Sequence, residues 1–283
     1  MILKATFVWA LAGSLFAAEW PYFIAYSHQM EEPGNLEISS FNVVGRPTSG
    51  NSFAASLLEI EYGIKAWWTT EVYLAGQTTA GQSTLFTGWR WENRIRPLMG
   101  EHWINPVLYV EFEDLNGADK TLKEVVGFDS QFDQAEPNAT TRRERKHEFE
   151  TKLLLSSNFR GWNVSENMIA EKNLGNEPWE FGYAVGAARP LRLKASPYAC
   201  NLCWENLSAG VEMYGGLGTR HDFTLAGTSH YVAPTVALDL PSGTTFRVSP
   251  GFGVTGASHP FLLRFAVSWE APAFGRRVRE WLR

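Results

Sequence analysis

The sequence predicts an all-β chain: a transmembrane, antiparallel, up-and-down β-barrel of about 12 strands with a short C-terminal amphipathic helix or tail. Three observations predict it. Segments of about ten residues, long enough to cross the hydrocarbon layer when tilted, alternate apolar with polar side chains. The connections between them alternate between short and long, as periplasmic turns and extracellular loops do. No run near 20 apolar residues follows the first 18 positions, so spanning helices are absent, while 12 Trp are available for interfacial girdles.

Taken in order, MILKATFVWALAGSLFAAEW begins with Lys4, an apolar run from Ala5 to Phe16 and the small pair Ala17–Ala18. This is the pattern of a secretory signal peptide over 1–18, and no Cys follows it to receive a lipid. Residues 19–33 carry two Pro and little periodicity and read as an N-terminal lead-in. The barrel is expected over 34–270, with strands near 35–44, 53–63, 67–77, 84–96, 104–113, 146–157, 162–172, 179–189, 206–218, 229–239, 244–253 and 261–270. The even count suits a bacterial single-chain barrel.

Residues 59–96 carry the pattern most clearly. Trp89, Trp91, Asn93 and Ile95 share one face, and Arg90, Glu92 and Arg94 share the other. Trp68, Thr70, Val72 and Leu74 likewise oppose Glu71 and Tyr73. Charges inside and aromatics against lipid fit a membrane barrel, whereas a soluble sandwich would reverse the faces. Short turns fall at Gly63–Ala66, Pro97–Trp103, Asn158–Gly161 and Leu240–Gly243, so the polar connection 114–145 becomes an extracellular loop. The connection 190–205 breaks the rule, being long on the predicted periplasmic side. After the final strand, residues 271–283 are expected to form a periplasmic tail, with Phe274, Val278, Trp281 and Leu282 on one helical face.

The segments AYSHQMEEPGNLEIS, LEIEYGIKAWWTTEVYL, FTGWRWENRIR and WINPVLYVEFE resemble a group of uncharacterised bacterial outer-membrane barrels. Pro33-Gly34 before the first strand and Glu61-Tyr62-Gly63 before a short turn match marks of that group. The group is similar to the barrels named meta-pathway phenol-degradation proteins. The resemblance implies an outer-membrane location and a small solute, aromatic or apolar.

Alternation assigns an inward, lumen-lining set: Glu59, Glu61, Glu71, Arg90, Glu92, Arg94, Glu111, Glu113, Glu148, Glu150, Lys152, Glu180, Glu212 and Arg264. These point to passive passage or binding of a small solute, or to a salt-bridged interior with no open pore. The alternatives to passage are a closed barrel acting through its extracellular loops and a lipid-modifying barrel enzyme. No catalytic constellation supports the enzyme: Ser229-His230 and Ser258-His259 fall near predicted loops, and no nucleophile elbow is present. The six His are scattered and read as surface residues matching no metal motif. Cys200 and Cys203, the only cysteines, lack a second C-x-x-C or a following His and read as a local disulfide. Neither a metal nor a cofactor is expected. A net charge of −5 excludes a basic nucleic-acid footprint. The expected partners are outer-membrane lipid, the barrel-assembly machinery during insertion and a small-molecule solute.

Overall fold

Alternation of side chains across a strand forces every second residue to one face, so each predicted segment can form a wall with a wet and a greasy side. The computed structural model describes residues 20–194 and 200–283, and the expected signal peptide lies outside them. Its strands are β1 (Leu36–Gly45), β2 (Phe53–Lys65), β3 (Trp68–Thr79), β4 (Thr84–Ile95), β5 (Asn105–Asn116) and β6 (Arg145–Phe159). They continue with β7 (Trp162–Asn173), β8 (Glu180–Pro190), β9 (Leu207–Thr219), β10 (His230–Asp239), β11 (Thr244–Gly253) and β12 (Phe261–Ala271). The two residues Asp222–Phe223 fold back on the end of β9.

Each strand pairs antiparallel with its successor, and β1 pairs with β12 from Leu36 opposite Ala271 to Gly45 opposite Leu262. Twelve strands therefore close into a barrel with no free edge, which satisfies the backbone without water. Leu58, Ile60, Val72, Leu74, Trp89, Trp91, Phe265 and Val267 are exposed on the outer wall. Among the described residues no helix is long and apolar enough to cross a membrane.

The inner wall has two characters. From β1 to β7 it carries Glu, Arg, Lys and Tyr, whereas β8 presents Gly182, Ala184, Gly186 and Ala188. The small side leaves room for two segments that fill the barrel. The lead-in enters the lumen, and the connection 117–144 folds down into it from the opposite rim. A Cβ on Gly186 would stand 2.6 Å from the Tyr22 ring, and one on Gly182 2.6 Å from the carbonyl oxygen of Val125. At the rim, a Cβ on Gly63 would stand 2.2 Å from the Glu32 carbonyl oxygen, so glycine lets the lead-in cross the barrel edge.

The long connection after β8 lies on the same rim as the turn at Gly161, which it meets through Leu193, and Cys200 and Cys203 are bonded within it. The strand count therefore stands despite the exceptional loop. The tail forms a helix, Phe274–Trp281, none of whose residues is buried. The Ala273 amide donates to Asn35 Oδ1 and the Gly275 amide to the Gly34 carbonyl, so the helix is tied to the rim and stays outside the lumen.

Candidate functional site: the ionic lumen

The register places glutamates directly opposite one another on nine successive strands. Glu270 faces Glu37, then Glu61, Glu71, Glu92, Glu111, Glu150, Glu171 and finally Glu180. The strands tilt, so this lateral row climbs along the wall. It starts at the rim where β1 begins and ends at the rim where β8 begins. Like charges directly opposite destabilise a sheet unless something neutralises them.

In the middle of the row the protein supplies its own cations. Arg94 Nη2 lies 2.5 Å from both Glu61 and Glu71, and its Nε 3.4 Å from Glu92. Arg90 Nη1 reaches Glu113 at 2.7 Å, Glu124 at 3.0 Å and Glu111 at 3.3 Å. Lys152 bonds Glu124 at 2.7 Å and Glu150 at 2.9 Å. Lys123, from the descending loop, reaches Glu111 at 2.6 Å and Glu92 at 2.9 Å and donates to the Tyr109 hydroxyl at 2.8 Å. Its ammonium also stands 4.2 Å from the centroid of Tyr73 and 5.4 Å from that of Tyr109. Leu122, just before it, has a φ of 50°, a left-handed conformation that turns Lys123 into the wall.

The lead-in is held from the other side. Glu212 accepts the amides of Phe23, Ile24 and Ala25 at 3.0, 2.9 and 2.7 Å. Asn167 pairs with the backbone of Tyr26 through both its amide atoms. The Tyr26 hydroxyl reaches Glu92, so lead-in and loop converge on the same carboxylate. Arg264 donates to Tyr214 and to the Leu122 carbonyl, pinning the loop.

Of the lumen set, Glu59, Glu61, Glu71, Arg90, Glu92, Arg94, Glu111, Glu113, Glu148, Glu150, Lys152, Glu212 and Arg264 are buried on the inner face. Glu180 is half-buried at the rim. Sequence reasoning missed Lys123 and Glu124, because a loop has no alternation to assign its residues inward. Tyr26 and Tyr109 escaped for want of a charge.

Above the ion pairs, the loop and wall enclose a cavity of about 430 Å³, lined by eleven carboxylates and three cations. Glu113, Asp129, Glu148, Glu171 and Glu180 are among its walls. Burial pushes Asp129, on the loop, up to about 6. Lower down, the carboxylates of Glu111, Glu113, Glu124 and Glu150 lie within 4.8 Å of one another, as metal ligands can. Arg90, Lys123 and Lys152 already occupy that space and form ion pairs with the group.

The surface assignment fails for three histidines: His28, His230 and His259 are buried. His28 lies in the lumen because the lead-in does, and burial holds its imidazole below the usual histidine range. Burial lowers His259, in an outer loop, to about 4. His230 faces outward beneath the rim, with Nδ1 3.1 Å from the Tyr183 hydroxyl and Nε2 2.8 Å from Thr228 Oγ1. The Thr228 hydroxyl also lies 3.0 Å from the Leu225 carbonyl, to which it can donate.

Neither a family model nor a curated protein sequence matches the chain. Solved structures match it in fold. An outer-membrane channel from Pseudomonas putida F1 aligns with a TM-score of 0.54 at 9% identity, over 86% of this chain and 97% of that one. The KdgM porin in complex with disordered oligogalacturonate gives 0.48 at 7% identity, over 83% and 97%. LpxR from Salmonella typhimurium gives 0.45 at 10% identity, over 82% and 99%. The first of these shows that the barrel architecture is one found among bacterial outer-membrane channels, and the likeness concerns the fold alone.

Proposed function

We propose that the protein is an outer-membrane barrel that binds and passes small solutes through its charged lumen, and that two segments of its own chain keep it shut at rest. One observation carries the reading. Glu92 and Glu150 are 0% exposed and Tyr73 1%, whereas side chains lining an open pore would be wet. What covers them is the lead-in and the loop, held at the centre by ion pairs and hydrogen bonds that water or a polar solute can replace. The acidic cavity supplies an entrance at one rim.

The apolar outer wall fits outer-membrane lipid, and insertion would use the barrel-assembly machinery. The interior supports a polar or charged solute better than the apolar one the resemblance implies, since carboxylates and cations dominate its centre. The protein acts without catalysis in this reading. A permanently closed barrel working through its loops is favoured by the same burial, and one recording separates the two. Refolded protein lacking residues 20–32, and with 117–144 replaced by a short Gly-Ser linker, is placed in a planar bilayer. Steady, salt-dependent openings are expected where the intact protein is nearly silent. Silence from a folded, heat-modifiable double variant favours the closed barrel.

A further inference from the structure

We infer that the seat now filled by Lys123 is a binding site for the primary ammonium group of a small cationic solute, with Lys123 occupying it as a tethered surrogate. The seat has the chemistry an ammonium needs. Glu92 and Glu111 accept two of its protons at 2.9 and 2.6 Å, and the Tyr109 hydroxyl accepts the third at 2.8 Å. Tyr73 places its ring face against the same charge. All four of these residues belong to barrel strands β3, β4 and β5, so the wall holds the seat and the loop merely visits it.

Two further observations point to a cationic ligand. The row of glutamates runs from rim to rim through this seat, and carboxylates about 5 Å apart give an incoming cation a counter-charge at each step. Among the described residues the ion-paired centre also holds fewer cations than carboxylates. Arg90, Arg94, Lys123 and Lys152 face the carboxylates of Glu61, Glu71, Glu92, Glu111, Glu113, Asp119, Glu124 and Glu150. Glu113 lines the outer cavity, is 1% exposed, and its Oε1 has no hydrogen-bond partner. A buried carboxylate oxygen left in that state invites a donor from the cavity. A solute with two ammonium groups a few carbons apart could engage the cavity carboxylates with one and displace Lys123 with the other.

For its way in the inference rests on the passage reading, but binding alone needs no through-route. The probe is butane-1,4-diamine, titrated calorimetrically into the full-length barrel in detergent. Lys123→Met empties the seat, and saturable diamine binding at least tenfold tighter than in the intact protein is expected. Adding Glu111→Gln to that variant should remove the gain. If Lys123→Met fails to give a heat-modifiable barrel, the loop-replaced variant, in which a linker joins Asn116 to its register partner Arg145, empties the same seat. Binding no tighter in the emptied barrel, or a gain that survives Glu111→Gln, overturns the inference. Channel openings with no diamine binding would sink the site and leave the passage reading standing. Tight diamine binding to a barrel that never opens would do the reverse.

Discussion

Arg94 holds three buried glutamates at once, and its value lies in what its loss would leave behind. A guanidinium can bond two carboxylates through separate N–H groups, as Arg94 does with Glu61 and Glu71. Arg94→Met should remove the cation those buried acids share and lower barrel stability by about 3–5 kcal/mol, read as a lower urea midpoint in detergent. Arg94→Lys should recover only part of this, because one ammonium cannot reproduce the fork. Full recovery with lysine would make point charge, not geometry, the stabilising feature. His28 gives a second expectation. It bridges Ser156 and Glu101 at 2.9 and 3.0 Å, and burial, aided by Arg96, lowers it against the opposing pull of Glu101. A lowered folded-state value means the neutral form is favoured in place. The stabilisation is complete above the unfolded value of about 6.5 and is lost as pH falls through the lowered one. Protease should therefore cut the lead-in faster at pH 5 than at pH 8, and His28→Gln should flatten that difference.

The two elements that fill the lumen are the two whose place no periodicity announces. The lead-in and the 117–144 loop have no alternation, and their contacts are made by strands far away in sequence, such as Glu212 holding Phe23 to Ala25. The strands were legible because each one's pattern is local. Glu92 and Arg94 could be placed inside from their neighbours Trp91 and Asn93 alone. The glycine-rich β8 wall is the trace the lead-in leaves in the sequence, readable only once Tyr22 is seen against Gly186. That contact makes a test. Gly186→Val should push the Tyr22 ring off the wall, release the lead-in to protease and leave the barrel heat-modifiable. Unchanged protection of the lead-in would mean that Glu212 and Asn167 hold it without the wall.

At the scale of the whole molecule, the climbing row of glutamates is a property of the closed barrel and of no strand by itself. Each Glu is one residue in one strand, and only tilt and register string them from rim to rim. The same geometry makes occlusion redundant at the centre. Tyr26 from the lead-in and Lys123 from the loop both reach Glu92, so withdrawing either leaves the other across the lumen. The C-terminal helix takes no part, since it buries no residue and is hydrogen-bonded to the rim at its start, through Ala273 and Gly275. Conductance should follow from this. Deleting 274–283 should leave the recording as silent as the intact protein, and removing the lead-in or the loop alone should give brief, small openings. Removing both should give persistent openings larger than the two single variants combined, because neither remaining segment is left to cover Glu92. Equal openings from the loop-deleted and doubly deleted barrels would assign the closure to Lys123 and its loop, and reduce the lead-in to a brace for the β8 wall.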